Sequence, residues 1–133
     1  MKKLGLVGGT GPESTIVYYR ELNKRINEAT NGKEFPEIVI ESVNLYKALD
    51  MVANEKYGEL EEYLSKAVSD LEECGADIVA LTAGTMHVVF EKLESRAKVP
   101  FISIPEAVAE LAVSKGYKKV GLLGTIFTME KDY

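Results

Sequence analysis

Short apolar runs alternate along this chain with longer stretches whose apolar residues recur every three or four positions. Runs of the first kind suit strands covered on both faces, and the second pattern suits helices that bury one stripe. Leu4, Leu6 and Val7 open the series as a short buried strand. A helix is predicted at about 12–29, with Ile16, Tyr19, Leu22 and Ile26 on one face, before a turn at Asn31-Gly32. Ile38–Val43 is β-branched and strand-like and ends in Asn44. Residues 55–74 carry the cleanest helical signal, with Tyr57, Leu60, Leu64, Ala67, Val68 and Leu71 in register and Gly75 as the stop. Ile78–Leu81 is the next buried strand, followed by Thr82-Ala83-Gly84-Thr85 and a helix to about Arg96. Phe101–Ile104 is a fourth strand, and Pro105 starts a helix that ends before Gly116. Lys119–Leu123 reads as a fifth strand, and Thr128-Met129-Glu130 as a new helix beginning.

Repeated strand–helix alternation with apolar strands predicts an α/β fold, a flavodoxin-like doubly wound parallel sheet. In such sheets ligands bind beyond the carboxyl ends of the strands. Three loops there carry small or hydroxyl-bearing residues: Gly8–Gly11, Thr82–Thr85 and Gly124–Thr128. The first is the most informative. Gly8, Gly9 and Gly11 let the backbone turn sharply and approach a ligand without Cβ obstruction. Pro12 suits the first helical position, and Glu13 complements the helix dipole there. Strand, glycine turn and helix start together make an anion site, or else a tight turn with no ligand. The dinucleotide fingerprint is incomplete, since Ser14 stands at the third glycine of G-x-G-x-x-G. No Gly-Lys-Ser/Thr follows, so the loop is not a Walker loop.

Composition narrows the class. The 133 residues are 46% hydrophobic and 28% charged, which fits one folded domain. The net charge of −5, with scattered Lys and Arg, disfavours nucleic acid and anionic membranes as partners. No apolar run approaches the ~20 residues of a membrane span, and the strand after Met1-Lys2-Lys3 is too short for a signal sequence. A single cysteine, Cys74, excludes an internal disulfide and fits a reducing, cytoplasmic setting. One His and one Cys cannot build a Cys/His metal site, so no metal is expected. Cys74 also falls on the edge of the sheet opposite the loops, which argues against a nucleophile.

In the second loop, Thr82 and Thr85 can bind a carboxylate, or Thr85 can simply cap the helix led by Met86 and His87. His87 is the only histidine and is either an acid/base or a solvent-facing or capping residue.

Gly8-Gly9-Thr10-Gly11-Pro12-Glu13-Ser14-Thr15 with Tyr18-Tyr19-Arg20 resembles the aspartate/glutamate racemase family. The segments Thr82 to His87, Val99–Ile104 and Val120–Thr125 with Thr128-Met129 follow in that family's order and spacing. The resemblance implies a cofactor-independent (PLP-independent) racemase, a homodimer, with two pseudo-symmetric lobes that each supply one cysteine. On that basis residues 1–113 are the first lobe and 114–133 the start of the second, the chain stopping abruptly at Tyr133 as a truncated product would. The substrate would be a small amino acid or dicarboxylate. A thiolate removes the poorly acidic Cα–H while N–H donors stabilise the carboxylate, and a thiol opposite returns the proton.

Thr82 stands where the family's first cysteine is expected, and Gly84 where its asparagine is expected. A hydroxyl is too weakly acidic to replace a thiolate without a base, for which His87 is the candidate. The resemblance places Thr82 at the proton-transfer position, with His87 beside it as the candidate base, and Gly8, Gly9, Thr10, Gly11, Asn44, Gly84, Thr85, Thr125 and Thr128 are the candidate substrate-binding residues. Lys47 and Arg20 are candidate partners for a side-chain carboxylate. Because both cysteines are missing, two alternatives stand beside racemisation. One is an inactive carboxylate-binding or assembly homologue; the other is a single-cysteine isomerase or decarboxylase.

Overall fold

β1 (Leu4–Gly8) pairs in parallel with two neighbours at once, Leu4 facing Ile38 on one side and Ile78 on the other. Its partners are β2 (Ile38–Ser42) and β3 (Ile78–Leu81), and β4 (Phe101–Ile102) extends the sheet beyond β3. The order β2-β1-β3-β4 is the doubly wound arrangement expected from the sequence. The chain leaves β1 for one side and returns to the other, so the topological switch point lies between β1 and β3. The computed structural model describes residues 1–130, so the predicted chain end at Tyr133 lies outside the described residues.

The helices are α1 (Pro12–Ala29), α2 (Leu45–Ala53), α3 (Tyr57–Glu73), α4 (Phe90–Arg96), α5 (Ile104–Ser114) and α6 (Ile126–Glu130). A 3₁₀ helix, Gly84–Val89, precedes α4. The core forms where α2, α3 and the 3₁₀–α4 segment cover one face of the sheet. Leu60 and Leu64 of α3 are fully buried against Val7, Val79 and Leu81. Each such leucine contributes about 2 kcal/mol by leaving water. The stripe predicted for α3 is the one observed, with Leu60, Leu64, Ala67, Val68 and Leu71 buried and Tyr57 packed partly against them. Glu61 is buried on the same helix and is held by Arg96 at 2.6 Å and Lys92 at 3.4 Å.

Four expectations are corrected. α1 does not bury Ile16 and Tyr19, which are about half exposed; Thr15 is its buried residue, with Leu22 and Ile26 half-buried. Hydroxyl bonds at Ser14 and Thr15 hold the first turn of this helix with Thr15 facing inward. The fourth strand stops at Ile102, because Ser103 caps α5 by accepting the Glu106 N–H at 3.3 Å. The stretch after Thr85 begins as a 3₁₀ turn and becomes α-helical only at Phe90. Lys119–Leu123 is not a strand. Val120, Leu122 and Leu123 are exposed, and no neighbouring strand among the described residues accepts their backbone pairing.

One helix, α2, arises in sequence for which no element was predicted. Asn44 caps it, accepting the Lys47 N–H at 3.1 Å, and Ala48, Met51 and Val52 are its buried face.

Candidate functional site

The carboxyl ends of β1 and β3 lie side by side, Val7 paired with Leu81, so the loops that follow leave from one edge at the switch point. The first loop is shaped by glycine. Gly9 has φ +81°, and a Cβ there would lie 2.3 Å from the Val43 carbonyl oxygen. Gly8 leaves room for a side chain, since its Cβ would meet Thr15 Cγ2 at 2.7 Å.

That side chain is the hub of the corner. Thr15 Oγ1 accepts the Gly9 N–H at 3.0 Å, lies 3.2 Å from the Gly11 carbonyl and 3.1 Å from Thr82 Oγ1. The Ser14 hydroxyl lies 2.7 Å from the Gly11 carbonyl and 2.9 Å from the Thr82 carbonyl, which ties the two loops together. Neither Ser14 nor Thr15 was among the predicted site residues. Their signal was two adjacent hydroxyls in the first turn after a glycine corner. Thr10 is buried in the same corner.

Thr82 faces inward. It is 2% exposed, and its hydroxyl lies 3.2 Å from the Val7 carbonyl and 3.1 Å from the Thr15 hydroxyl. The geometry does not give it an open proton-transfer position, because the strand alternation that buries Leu81 on one face buries Thr82 on the other.

The second and third loops do meet. Thr85 Oγ1 lies 3.1 Å from Thr125 Oγ1, which lies 3.2 Å from Thr128 Oγ1 and accepts the Thr128 N–H at 3.3 Å. Gly84 faces the same group, its Cβ position 4.0 Å from Thr128 Oγ1. Three hydroxyls carry three protons, and the two links between them use only two. Among the described residues nothing takes the third proton, so one O–H donor of the chain is left for an external acceptor.

His87 is 3% exposed. Its Nδ1 lies 3.2 Å from both the Ala83 and Gly84 carbonyls, and its Nε2 accepts the Ile104 N–H at 3.0 Å. Both ring nitrogens are engaged with backbone groups, which leaves neither free in this arrangement. Burial lowers the pKa of His87 below its ordinary 6.5, opposed by the Ala83 and Gly84 carbonyls and by Glu106. A group whose folded pKa is depressed below its unfolded value binds fewer protons when folded. The stability it contributes is therefore present above about pH 6.5 and lost as pH falls through the folded value. Denaturant titrations at pH 7.5 and 5 should show lower stability at pH 5, and H87Q should flatten that part of the difference.

The remaining predicted residues have partners of their own. Asn44 lies beyond the edge strand β2, its side chain spent on capping α2 and its N–H donated to Tyr63 Oη at 2.8 Å. Lys47 Nζ sits 4.2 Å from the Tyr63 ring centroid. Arg20 is exposed on α1 beside Glu21 at 3.8 Å. Cys74 follows α3 at the amino end of β3, where Lys3 Nζ donates to its carbonyl at 3.2 Å, so it is at the far edge from the loops. Among the described residues no His, Cys, Asp and Glu cluster is arranged to hold a metal, and no helix is long and apolar enough to cross a membrane.

Comparison with known proteins gives the same answer from sequence and from shape. The broad specificity amino-acid racemase RacX of Bacillus subtilis (strain 168) is 25% identical over 130 residues, covering 96% of this chain and 56% of its own length. A Yersinia pestis protein crystallised as a candidate Asp/Glu racemase superposes with TM-score 0.91 at 34% identity, over 98% of this chain and 57% of that one. PH1733, an aspartate racemase homologue from Pyrococcus horikoshii OT3, superposes with TM-score 0.76 at 35% identity, over 87% of this chain and 50% of that one. The chain thus spans about half the length of the relatives it matches. The sequence pattern of the Asp/Glu/hydantoin racemase family matches residues 7–133, and with the doubly wound sheet and its loops at the switch point, the chain belongs to that family.

Proposed function

We propose that this chain supplies the carboxylate-binding half of a cofactor-independent amino-acid racemase of the aspartate/glutamate class. The observation that carries the reading is the meeting of Thr85, Thr125 and Thr128, with a spare O–H donor, above the switch point of the sheet. A substrate carboxylate accepts that proton, together with N–H groups of the loops, and the negative charge that develops as Cα–H is broken is held there. Gly84 lies beside this group, its Cβ position 4.0 Å from Thr128 Oγ1, and Thr10 is assigned to the approach on this reading. Residues 1–113 form the first lobe on this reading, and 114 onward begins the second. The exposed apolar residues Val120, Leu122 and Leu123 suit a strand awaiting neighbours. The protein acts in the cytoplasm as a homodimer.

Isothermal titration with L- and D-aspartate and glutamate tests the binding step. T85V should weaken binding about tenfold while leaving the fold intact, since it removes one end of the hydroxyl chain and keeps the side-chain shape. Equal affinity of T85V and the parent would remove Thr85 from the site.

A second reading has its own support. Thr82 is sealed, His87 is engaged at both nitrogens, and Cys74 lies at the opposite edge, so no proton carrier faces the hydroxyl cluster from these elements. A homologue that binds carboxylates without racemising them fits this arrangement. Incorporation of solvent deuterium at Cα, measured on a version that carries the complementary half, separates the two. Exchange into both enantiomers supports racemisation; retained binding with no exchange supports the binder.

A further inference from the structure

We propose that His87 is a positioning residue, a neutral imidazole clasp that holds α5, and the segment leading to Thr125 and Thr128, against the loop after β3. Its consequence for ligand binding rests on the function proposed above; the clasp itself does not.

The clasp has a defined polarity. Two carbonyls, of Ala83 and Gly84, face Nδ1 at 3.2 Å, so that nitrogen carries the proton. Nε2 is then a bare lone pair, and it accepts the Ile104 N–H at 3.0 Å, at the first turn of α5. The ring is kept in plane by stacking on Phe90, centroids 5.1 Å apart and 8° from parallel, and Phe90 in turn leans on Phe101 at 5.0 Å.

Little else holds α5. None of its residues is buried, and Val108, Leu111 and Val113 are exposed. Among the described residues, the other hydrogen bonds of residues 103–117 stay within that segment. A cavity of about 440 Å³ separates the helix from the 3₁₀–α4 segment, lined by His87, Phe90, Ser103, Pro105 and Glu106 among others. The His87–Ile104 bond spans that gap. Beyond α5 the chain returns to the same loop through Thr125 and Thr85. The clasp therefore closes one end of the excursion that brings Thr125 and Thr128 to the candidate site.

Protonation reverses the sign of the contact. Imidazolium has N–H at both nitrogens, so Nε2 would present a donor to the Ile104 donor and the bond would be lost. Glu106 on α5 and Glu91 and Lys92 on α4 are the charged groups that line the cavity with the ring. Glu106 favours the cation, but burial outweighs it and favours the neutral form. β3, β4 and the 3₁₀ helix carry no charged residue besides His87.

The test is amide hydrogen exchange at Ile104 and through α5, with ¹⁵N shifts of the His87 ring, from pH 8 to pH 5 on the intact chain. The expected result is an Nδ1–H tautomer at pH 8 and a fall of about tenfold in Ile104 protection as the ring titrates. H87Q, whose amide offers one donor and one acceptor, should keep the protection and abolish its pH dependence; H87F should lack it at every pH. Aspartate affinity should fall with the same midpoint in the parent and stay flat in H87Q. An Nε2–H tautomer, or Ile104 protection that does not follow the titration of His87, overturns the clasp. Protection that follows the ring with no aspartate binding at any pH leaves the clasp standing and overturns the carboxylate site instead.

Discussion

Gly9→Ala should lose about 3 kcal/mol of stability or more, the largest effect expected of any substitution in the β1–α1 corner. Two costs combine. A φ of +81° is a conformation that L side chains rarely adopt, and holding one there costs about 1–3 kcal/mol. The methyl group would also stand 2.3 Å from the Val43 carbonyl oxygen and 2.7 Å from Ser42 Oγ. The carbonyl belongs to the backbone beyond β2 and cannot swing aside, because Val43 is itself anchored by donating its N–H to the Gly8 carbonyl at 3.0 Å. Relief would need the corner to shift, and overpacking of that kind costs about 1–3 kcal/mol more. Denaturant midpoints at constant m-value measure the change directly. A loss of less than about 1 kcal/mol would mean that the corner is not held in this conformation.

Thr15→Val should cost about 2–3 kcal/mol, although its shape is almost unchanged. The substitution leaves the buried Gly9 N–H without its acceptor, and an orphaned buried donor costs about 1–3 kcal/mol. The Gly11 carbonyl keeps the Ser14 hydroxyl and the Thr15 N–H, and the Thr82 hydroxyl keeps the Val7 carbonyl, so the orphaned Gly9 N–H carries most of the cost. Thr82→Val gives the internal comparison. The Val7 carbonyl that faces the Thr82 hydroxyl also accepts the Thr82 N–H at 3.1 Å, so it keeps a partner and the loss should be only about 1 kcal/mol. If Thr82→Val proved the more damaging of the two, Thr15 would not be the hub. Because neither hydroxyl faces a cleft, both variants should lose affinity for a carboxylate only in proportion to lost folding.

The elements that were legible in the sequence share one property: their cause is local. Leu60, Leu64, Ala67, Val68 and Leu71 announce α3 because a 3.6-residue period needs no knowledge of what it packs against. The glycine corner is equally local, since the positive φ at Gly9 is a demand that one residue type meets without strain. Lys119–Leu123 shows the limit of this kind of inference. Its apolar residues fit a strand, but a strand exists only when another backbone accepts its hydrogen bonds, and none of the described residues offers one.

The candidate site was legible as a place and illegible as a set of roles. Loops at the carboxyl ends of β1 and β3 follow from the alternation of elements, and so does the position of Cys74 at the other edge. The direction of each hydroxyl does not. Thr82 and Thr85 stand three positions apart in one loop, yet one is locked against Thr15, 67 positions away, and the other meets Thr125, 40 positions away. His87 looked like a base because it is the one imidazole near the loop; its partners at Ala83, Gly84 and Ile104 make it a connector.

The sequence by itself determined the doubly wound order of elements, the glycine corner and the edge of the sheet where chemistry can occur, because periodicity and backbone sterics act over a few residues. Only the tertiary structure decided which hydroxyls are spent on the protein and which remain for a ligand. A hydrogen bond takes its partner from wherever the fold delivers one, and those partners come from strands and loops far apart in the chain.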